Sequence, residues 1–231
     1  MRRGLIQFLL LITLVHTASA DSVIPQELAC VNQPEVIVKP LSDTDYSEIC
    51  SAAGQAIAFL KRYSLTPRRD IHIELVEERI NSHGYIAYGS YDSRSDRIML
   101  MSYAAILSGP EPAMMYGEPF DKVHYAGAIA HEVAHAVVQH NLKTKLLGTS
   151  PQEYLAHATQ LAVMPEERRA AVIRAMDIEA WESGDAISDV YMAIEPGKFA
   201  VKSYKHLLAM TDPSPFIQIL LNAKWFYVYV P

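Results

Sequence analysis

The chain has 231 residues, of which 50% are hydrophobic and 20% are charged, and its formal net charge is −6. This composition is typical of a globular protein and excludes a disordered or collagen-like chain. The negative charge argues against nucleic acid as a partner, and two cysteines are too few for a disulfide-rich scaffold.

The first 20 residues have the pattern of a cleavable export signal. A short basic segment at residues 1–3 precedes a mainly apolar stretch at 5–15, and the small residues Ala18 and Ala20 predict cleavage after Ala20. A membrane anchor is the alternative, but crossing a bilayer takes about 20 apolar residues. We therefore predict a secreted or periplasmic protein without stable membrane insertion, with a single domain over residues 21–231.

Two cysteines, Cys30 and Cys50, follow the predicted cleavage site. An oxidising compartment favours a disulfide between them, which would close a loop of about 20 residues and tie the N-terminal arm to the first helix. Two buried free thiols are the alternative.

The N-terminal half is predicted to form strands around one helix. Apolar runs and alternating patterns indicate strands at residues 35–39, 71–75, 85–91 and 97–101, the last two joined as a hairpin by the polar residues 92–96. Apolar side chains at helical spacing predict a helix up to about residue 63, with Ser42 or Asp43 as its N-cap.

From residue 102 the pattern is helical almost to the end. Helices are predicted at residues 121–141, 150–164, 166–176, 197–210 and 215–225, with a loop at 109–119 and a terminal strand at 226–230. The sequence thus predicts an α+β fold in which a small antiparallel sheet is followed by a helical half.

The longest predicted helix contains an H-E-x-x-H motif, His131-Glu132-Val133-Ala134-His135. Four residues advance a helix by about 6 Å and return to the same face, so the two histidines can bind one zinc ion. Glu132 lies beside them, where a general base can take a proton from a water molecule that zinc activates. The alternative is two ordinary histidines with an incidental glutamate, although buried helices contain few polar groups without a use.

A zinc centre of this kind needs a third protein ligand. Glu153, 18 residues after His135, is the first candidate, and His157 lies one helical turn beyond it. Two alternatives stay open. Ser150 and Glu153 also match the pattern of a capping box, in which Glu153 would only cap the helix, and His157 can be the ligand in place of Glu153. If Glu153 binds the metal, we expect His157 to contact a ligand instead.

Other polar residues are candidates for supporting roles. Peptide hydrolysis needs a donor for the oxyanion of the tetrahedral intermediate, and Tyr204 and His206 in the later helical region are the candidates. Asp189 could orient a histidine. We expect His124 to line the cleft or to contact a metal ligand, and His140 to be exposed to solvent.

The motif residues make the chain similar to the zincin group of zinc metallopeptidases. His131 and His135 match the two histidine ligands of that group, Glu132 matches its catalytic base, and Glu153 matches the ligand from a downstream helix in gluzincins. The metzincin subclass is excluded, because its additional Gly and His are absent from positions 138 and 141.

This resemblance covers residues 85–210 and implies a zincin-like fold with a central H-E-x-x-H helix. It further implies a zinc cofactor, an edge strand within residues 85–101 that binds substrate, and hydrolysis of peptides or proteins. The chain also resembles exported bacterial proteins in which an E-Y-x-A helix, here beginning at Glu153, follows the motif.

Two functional hypotheses follow. The first is an exported zinc-dependent peptidase with Glu132 as the general base. The second is a catalytically inactive zinc-binding envelope protein that acts as an interaction module, in which His157 fills the fourth metal position. The presence of Glu132 favours the enzyme, because a structural zinc site has no use for a buried base.

Overall fold

The structure is a computed structural model that describes residues 26–82, 85–143 and 148–231. The predicted export signal and its cleavage site lie outside these ranges. The strands are β1 (Leu28–Cys30), β2 (Gln33–Lys39), β3 (Ile71–Val76), β4 (Ile80–Ser82), β5 (Tyr85–Ala87), β6 (Gly89–Asp92), β7 (Arg97–Met101), β8 (Met114–Met115), β9 (Glu118–Pro119), β10 (Ala186–Ser188) and β11 (Tyr227–Tyr229). The helices are α1 (Asp43–Lys61), α2 (Tyr103–Leu107), α3 (Lys122–Asn141), α4 (Thr149–Ala162), α5 (Glu166–Met176), α6 (Asp189–Ile194), α7 (Pro196–Ala209) and α8 (Ser214–Asn222).

A five-stranded sheet has the strand order β1-β2-β3-β7-β6. The strands β2, β3 and β7 run parallel, whereas β1 and β6 pair antiparallel at the two edges. The α+β class and the small sheet ahead of the helices are confirmed, but the prediction that the sheet is antiparallel is wrong. A parallel pair needs a crossover connection, and α1 provides it between β2 and β3. The alternating pattern of the strands is compatible with either direction.

The sheet buries one face against helices α1 and α3. Alternate residues of its strands are buried, as the pattern predicts for a half-buried sheet: Val36, Val38, Ile71, Ile73, Leu75, Ile98 and Leu100. The opposite face is more exposed and mixed in character, and there Lys39 Nζ lies 2.6 Å from Glu74 Oε1. The helices α1 and α3 also pack against each other, so α3 is held between the sheet and α4.

The N-terminal arm is attached to α1 by a disulfide. Cys30 and Cys50 are bonded with their Cα atoms 5.5 Å apart, which confirms the predicted bridge. Ser42 caps α1, since its side chain accepts a hydrogen bond from the backbone N–H of Asp45 at 3.2 Å. None of the helices in the described ranges is long and apolar enough to cross a membrane.

The turn between β6 and β7 is tied to the C-terminal end of α3 through Asp96. Tyr91 Oη donates to Asp96 Oδ1 at 2.6 Å, and His140 Nε2 lies 3.1 Å from the same oxygen, while Arg69 forms an ion pair with the carboxylate. Burial raises the pKa of Asp96, but these hydrogen bonds outweigh burial and hold it at about 2. The expectation that His140 is exposed is wrong, because its side chain is fully buried in this cluster.

The segment predicted as a loop contains a short hairpin, β8–β9. Its turn residues Tyr116 and Gly117 have φ of 54° and 80°, as in the type I′ turn that suits a tight hairpin. Glu118 in β9 forms an ion pair of 2.7 Å with Arg168 in α5, which attaches the hairpin to the helical half.

The helical half is built on the packing of α3 against α4 and of α4 against α7. The predicted boundaries of α3, α4 and α5 agree with the structure to within about two residues. The terminal strand is confirmed as β11, which pairs antiparallel with β10. The short elements β10 and α6 were absent from the prediction.

Candidate metal centre

Two helices bring three potential metal ligands together. His131 and His135 lie one turn apart on α3 with their Nε2 atoms 3.1 Å from each other. Glu153 extends from α4, placing Oε2 3.3 Å from His131 Nε2 and Oε1 3.5 Å from His135 Nε2. Among the described residues, this is the one group of His, Cys, Asp and Glu side chains found to be arranged to hold a metal ion.

The spacing and chemistry of these three residues fit zinc. In a tetrahedral site with bonds of about 2.0–2.1 Å, neighbouring ligand atoms lie about 3.3 Å apart. The two nitrogens lie 3.1 Å apart, and two different oxygens of the Glu153 carboxylate lie 3.3 Å from His131 Nε2 and 3.5 Å from His135 Nε2. One donor atom from each residue can be chosen so that all three lie within 4.8 Å of one another, which is close enough to share one ion. Two imidazole nitrogens and one carboxylate oxygen are also ligands that zinc prefers, and three protein ligands leave a fourth position for water or substrate.

Glu153 does not cap its own helix in the structure. Gly148 is the N-cap of α4, where no side chain forms a capping hydrogen bond, so the capping box is not formed. His157 Nε2 lies 3.6 Å from Glu153 Oε2, and His157 is outside the three-residue group. His157 therefore contacts the candidate ligand Glu153, as expected for the case in which Glu153 binds the metal.

The pKa shifts of the ligand residues reflect burial and their mutual charges. Burial raises the pKa of Glu153, but the nearby His135 and His131 lower it by a larger amount, so the pKa lies far below its ordinary value. Burial lowers the pKa of His135 to about 4 against the opposing effect of Glu153. In the metal-free centre Glu153 is thus a carboxylate and His135 is neutral at pH 7, which are the protonation states that bind metal. Burial also lowers the pKa of His131, but its contact with Glu153 outweighs burial, so the pKa of His131 is raised instead.

Glu132 lies beside the ligands and against the edge strand of the sheet. Its side chain is buried, and burial together with the Glu153 charge raises its pKa to about 7, while His131 and a hydrogen bond from the Tyr91 backbone lower it. A Cβ atom on Gly89 would lie 2.7 Å from Glu132 Cγ. Only glycine at this position lets β6 approach the glutamate so closely.

A cavity of about 470 Å³ opens next to the candidate ligands. It is lined by Ala87–Gly89, Met114–Gly117, Ala128, His131, Glu132, His157, Gln160, Met176 and Glu195–Lys198. Its walls are mainly apolar, and the polar groups His131, Glu132 and His157 converge on one side, as is typical of small-molecule and substrate sites.

The two residues proposed as oxyanion donors, Tyr204 and His206, lie away from the cavity. His206 Nδ1 pairs with Tyr154 Oη at 2.7 Å behind α4, and Tyr204 packs in the smaller core cluster against Arg169. Neither lines the cavity. These two residues were predicted from their position in the sequence alone, and packing against α4 and α5 gives both a structural role.

Asp189 and His124 also have structural roles. Asp189 Oδ1 accepts the backbone N–H of Ser150 at 2.6 Å, which satisfies a donor at the start of α4. His124 Nδ1 accepts the backbone N–H of Asp121 at 3.3 Å and so completes the cap of α3. The expectation that His124 lines the cleft is wrong, because its side chain is fully buried at that cap.

Three residues around the centre were absent from the sequence-based prediction. Gln160 Oε1 lies 3.0 Å from His131 Nδ1, Met115 contacts Gln160, and Gly89 contacts Glu132. Gln160 follows Glu153 by seven residues, two turns of the same helix, and this helical spacing could have indicated it. Met115 and Gly89 come from the sheet region, and only the tertiary fold brings them to α3 and α4.

The fold and the centre together define an α+β protein with a partly buried candidate metal site of two histidines and one glutamate. The sequence model of a family of unknown function (DUF6639) matches residues 36–229, and the chain belongs to that family. No curated protein and no solved structure matches the chain.

Proposed function

We propose that this protein is a zinc-dependent peptidase of the gluzincin kind, with a zincin-like architecture. The observation that carries the proposal is the convergence of His131, His135 and Glu153, with the buried carboxyl group of Glu132 beside His131 on the wall of the adjoining cavity. A structural zinc site usually has four protein ligands. The described residues supply three, which favours an open, catalytic site.

In the proposed mechanism, the residues of the site have distinct roles in hydrolysis. Zinc bound by His131, His135 and Glu153 would supply Lewis-acid activation of a water molecule and of the substrate carbonyl. Glu132 accepts a proton from the water that attacks the carbonyl carbon, and then donates the proton to the leaving amine. The close approach of Gly89 and the Tyr91 backbone hold this carboxyl group in place.

Strand β6 is the proposed binding edge for an extended peptide. It is the last strand of the sheet, it pairs antiparallel with β7, and its first residue, Gly89, lines the cavity together with Ala87 and Tyr88. A peptide laid along a sheet edge is bound through main-chain hydrogen bonds, which suit many sequences. This arrangement supports peptides or proteins as substrates.

The proposed site of action is outside the cytoplasm. The disulfide between Cys30 and Cys50 is stable in oxidising compartments and rare in the cytosol. Together with the export pattern of residues 1–20, it supports a secreted or periplasmic enzyme.

The direct test is the Glu132→Gln variant, with Glu166→Gln in the exposed first turn of α5 as its control. We expect Glu132→Gln to bind zinc as the wild type does and to lose hydrolysis of a mixed peptide library, read by mass spectrometry, by at least about 100-fold. The control should keep full activity. Equal hydrolysis by Glu132→Gln and wild type would refute the general base, and an inactive wild type with one tightly bound zinc would favour the interaction module.

A further inference from the structure

We propose that Gln160 is a positioning residue, which holds His131 in the tautomer that binds metal and links this ligand to the β8–β9 hairpin. The inference rests on the metal centre of the proposed function. It concerns a residue that contacts one ligand and lines the cavity without being a ligand itself.

The placement of Gln160 is specific to this packing of α3 against α4. Its side chain is buried, with 4% of the residue exposed. Opposite it on α3 stands Gly127, where a Cβ atom would lie 3.2 Å from Gln160 Cγ. Glycine at this point leaves room for the amide to reach His131, which is one turn further along α3.

The two hydrogen bonds of the Gln160 amide define its orientation. Its Nε2 lies 3.1 Å from the sulfur of Met115 and its Oε1 lies 3.0 Å from His131 Nδ1. A thioether sulfur accepts hydrogen bonds and cannot donate them, so the amide NH₂ group faces Met115. The carbonyl oxygen of the amide therefore faces His131.

The orientation of the amide determines which ring nitrogen of His131 carries the hydrogen. A carbonyl oxygen accepts hydrogen bonds only, so His131 Nδ1 carries the hydrogen and donates it to Gln160. In a neutral imidazole the other nitrogen, Nε2, then has a free lone pair. That atom is the one that faces His135 and Glu153, so the neutral ring presents its lone pair to the metal position.

Met115 extends this arrangement to the wall of the cavity. It belongs to β8 and lines the cavity beside Tyr116 and Gly117. If the amide were reversed, its NH₂ group would face His131 Nδ1, and that nitrogen would have to accept a hydrogen bond. A neutral ring would then carry its hydrogen on Nε2 and could not bind metal through Nε2. The hairpin therefore contributes to the metal centre without contacting it.

The test compares zinc affinity among variants, measured by competition with a chromophoric chelator. We expect Gln160→Met, which removes the acceptor, to weaken zinc binding by about 10- to 100-fold. Gln160→Glu supplies a carboxylate acceptor at the same position and should restore the affinity to within about three-fold of wild type. Gln152→Met, the same change in the same helix, is the control and should bind as wild type does.

Melting temperatures of the metal-free proteins separate positioning from a general loss of structure. If Gln160→Met melts far below the wild type, Met115→Leu tests the same link from the hairpin side and should also weaken zinc binding. Wild-type affinity in both Gln160→Met and Met115→Leu would overturn the inference while leaving the proposed function intact. A wild type that binds no zinc would instead remove the proposed function, and this inference with it.

Discussion

Replacing Gly89 with alanine tests the geometry of Glu132 without touching the chemistry of any proposed catalytic residue. The added Cβ atom would lie 2.7 Å from Glu132 Cγ and 3.2 Å from both Cδ and Oε1. Carbon atoms in contact are normally separated by about 3.5–4.0 Å. The glutamate or the strand must therefore move by about 1 Å.

A displacement of that size has a predictable effect on catalysis. A misplacement of about 1 Å in a reacting group can lower the rate on the order of 100-fold, or about 2.7 kcal/mol of transition-state stabilisation. Overpacking of a buried site also costs about 1–3 kcal/mol of folding stability. Zinc affinity should stay within a few-fold of wild type, because the close contacts of the new methyl group are with Glu132 and not with a ligand.

The assay is hydrolysis of the peptide library at equal zinc loading, with urea unfolding to measure stability. Gly54→Ala is the matched control, since its added Cβ would meet Gln33 Cγ at an ordinary 3.4 Å and alanine favours the helix α1. We expect Gly89→Ala to lose activity and Gly54→Ala to keep it. Full activity in a folded, zinc-loaded Gly89→Ala protein would show that hydrolysis does not depend on the position of Glu132.

Two further predictions concern the supports of the site. The Asp96 carboxylate, with its pKa lowered to about 2, stabilises the fold at pH values above its ordinary pKa near 4, and this contribution is lost as the pH falls from about 4 to 2. Asp96→Asn should therefore lower the free energy of unfolding by about 1–2 kcal/mol at pH 7 and by less at pH 2.5. Asp189→Ala leaves the Ser150 N–H without its acceptor and should cost about 1 kcal/mol. It should also weaken zinc binding, because Glu153 lies near the start of the same helix.

A different experimental result would contradict each of these two predictions. For Asp96, the contradiction is a stability difference from wild type that is the same at pH 7 and pH 2.5 in urea unfolding, since the charge of the carboxylate would then be irrelevant. For Asp189, the conservative variant Asp189→Asn keeps an acceptor oxygen and should behave as wild type. Equal zinc affinities in Asp189→Ala and wild type would show that the start of α4 does not influence the metal centre.

Local patterns were sufficient to predict the longer helices and the pairing of the two histidines on one helix face. The motif His131 to His135 needs only the helical repeat to bring both rings to one face. The helical pattern gave the boundaries of α3 and α5 to within one residue. The Cys30–Cys50 bridge followed from the export pattern and chemistry of thiols.

The direction of the strands and the surroundings of the motif depend on long-range packing. Alternation in β2, β3 and β7 indicates a buried face but carries no information on parallel pairing. The roles of Tyr204 and His206 could not be predicted, because helical periodicity does not say which neighbour a buried face will meet. Gly89 reaches Glu132 only through the edge position of β6, which no local pattern records.

The zinc content of the purified wild type, prepared without chelator and compared with Glu153→Ala, is the direct test of the metal centre. We expect about one zinc ion per chain in the wild type, since the three donor atoms make one site. Glu153→Ala should lose the ion or bind it far more weakly while keeping the fold. A well-folded wild type without zinc affinity, or a Glu153→Ala variant that binds zinc as tightly as wild type, would contradict the proposed two-histidine, one-glutamate centre.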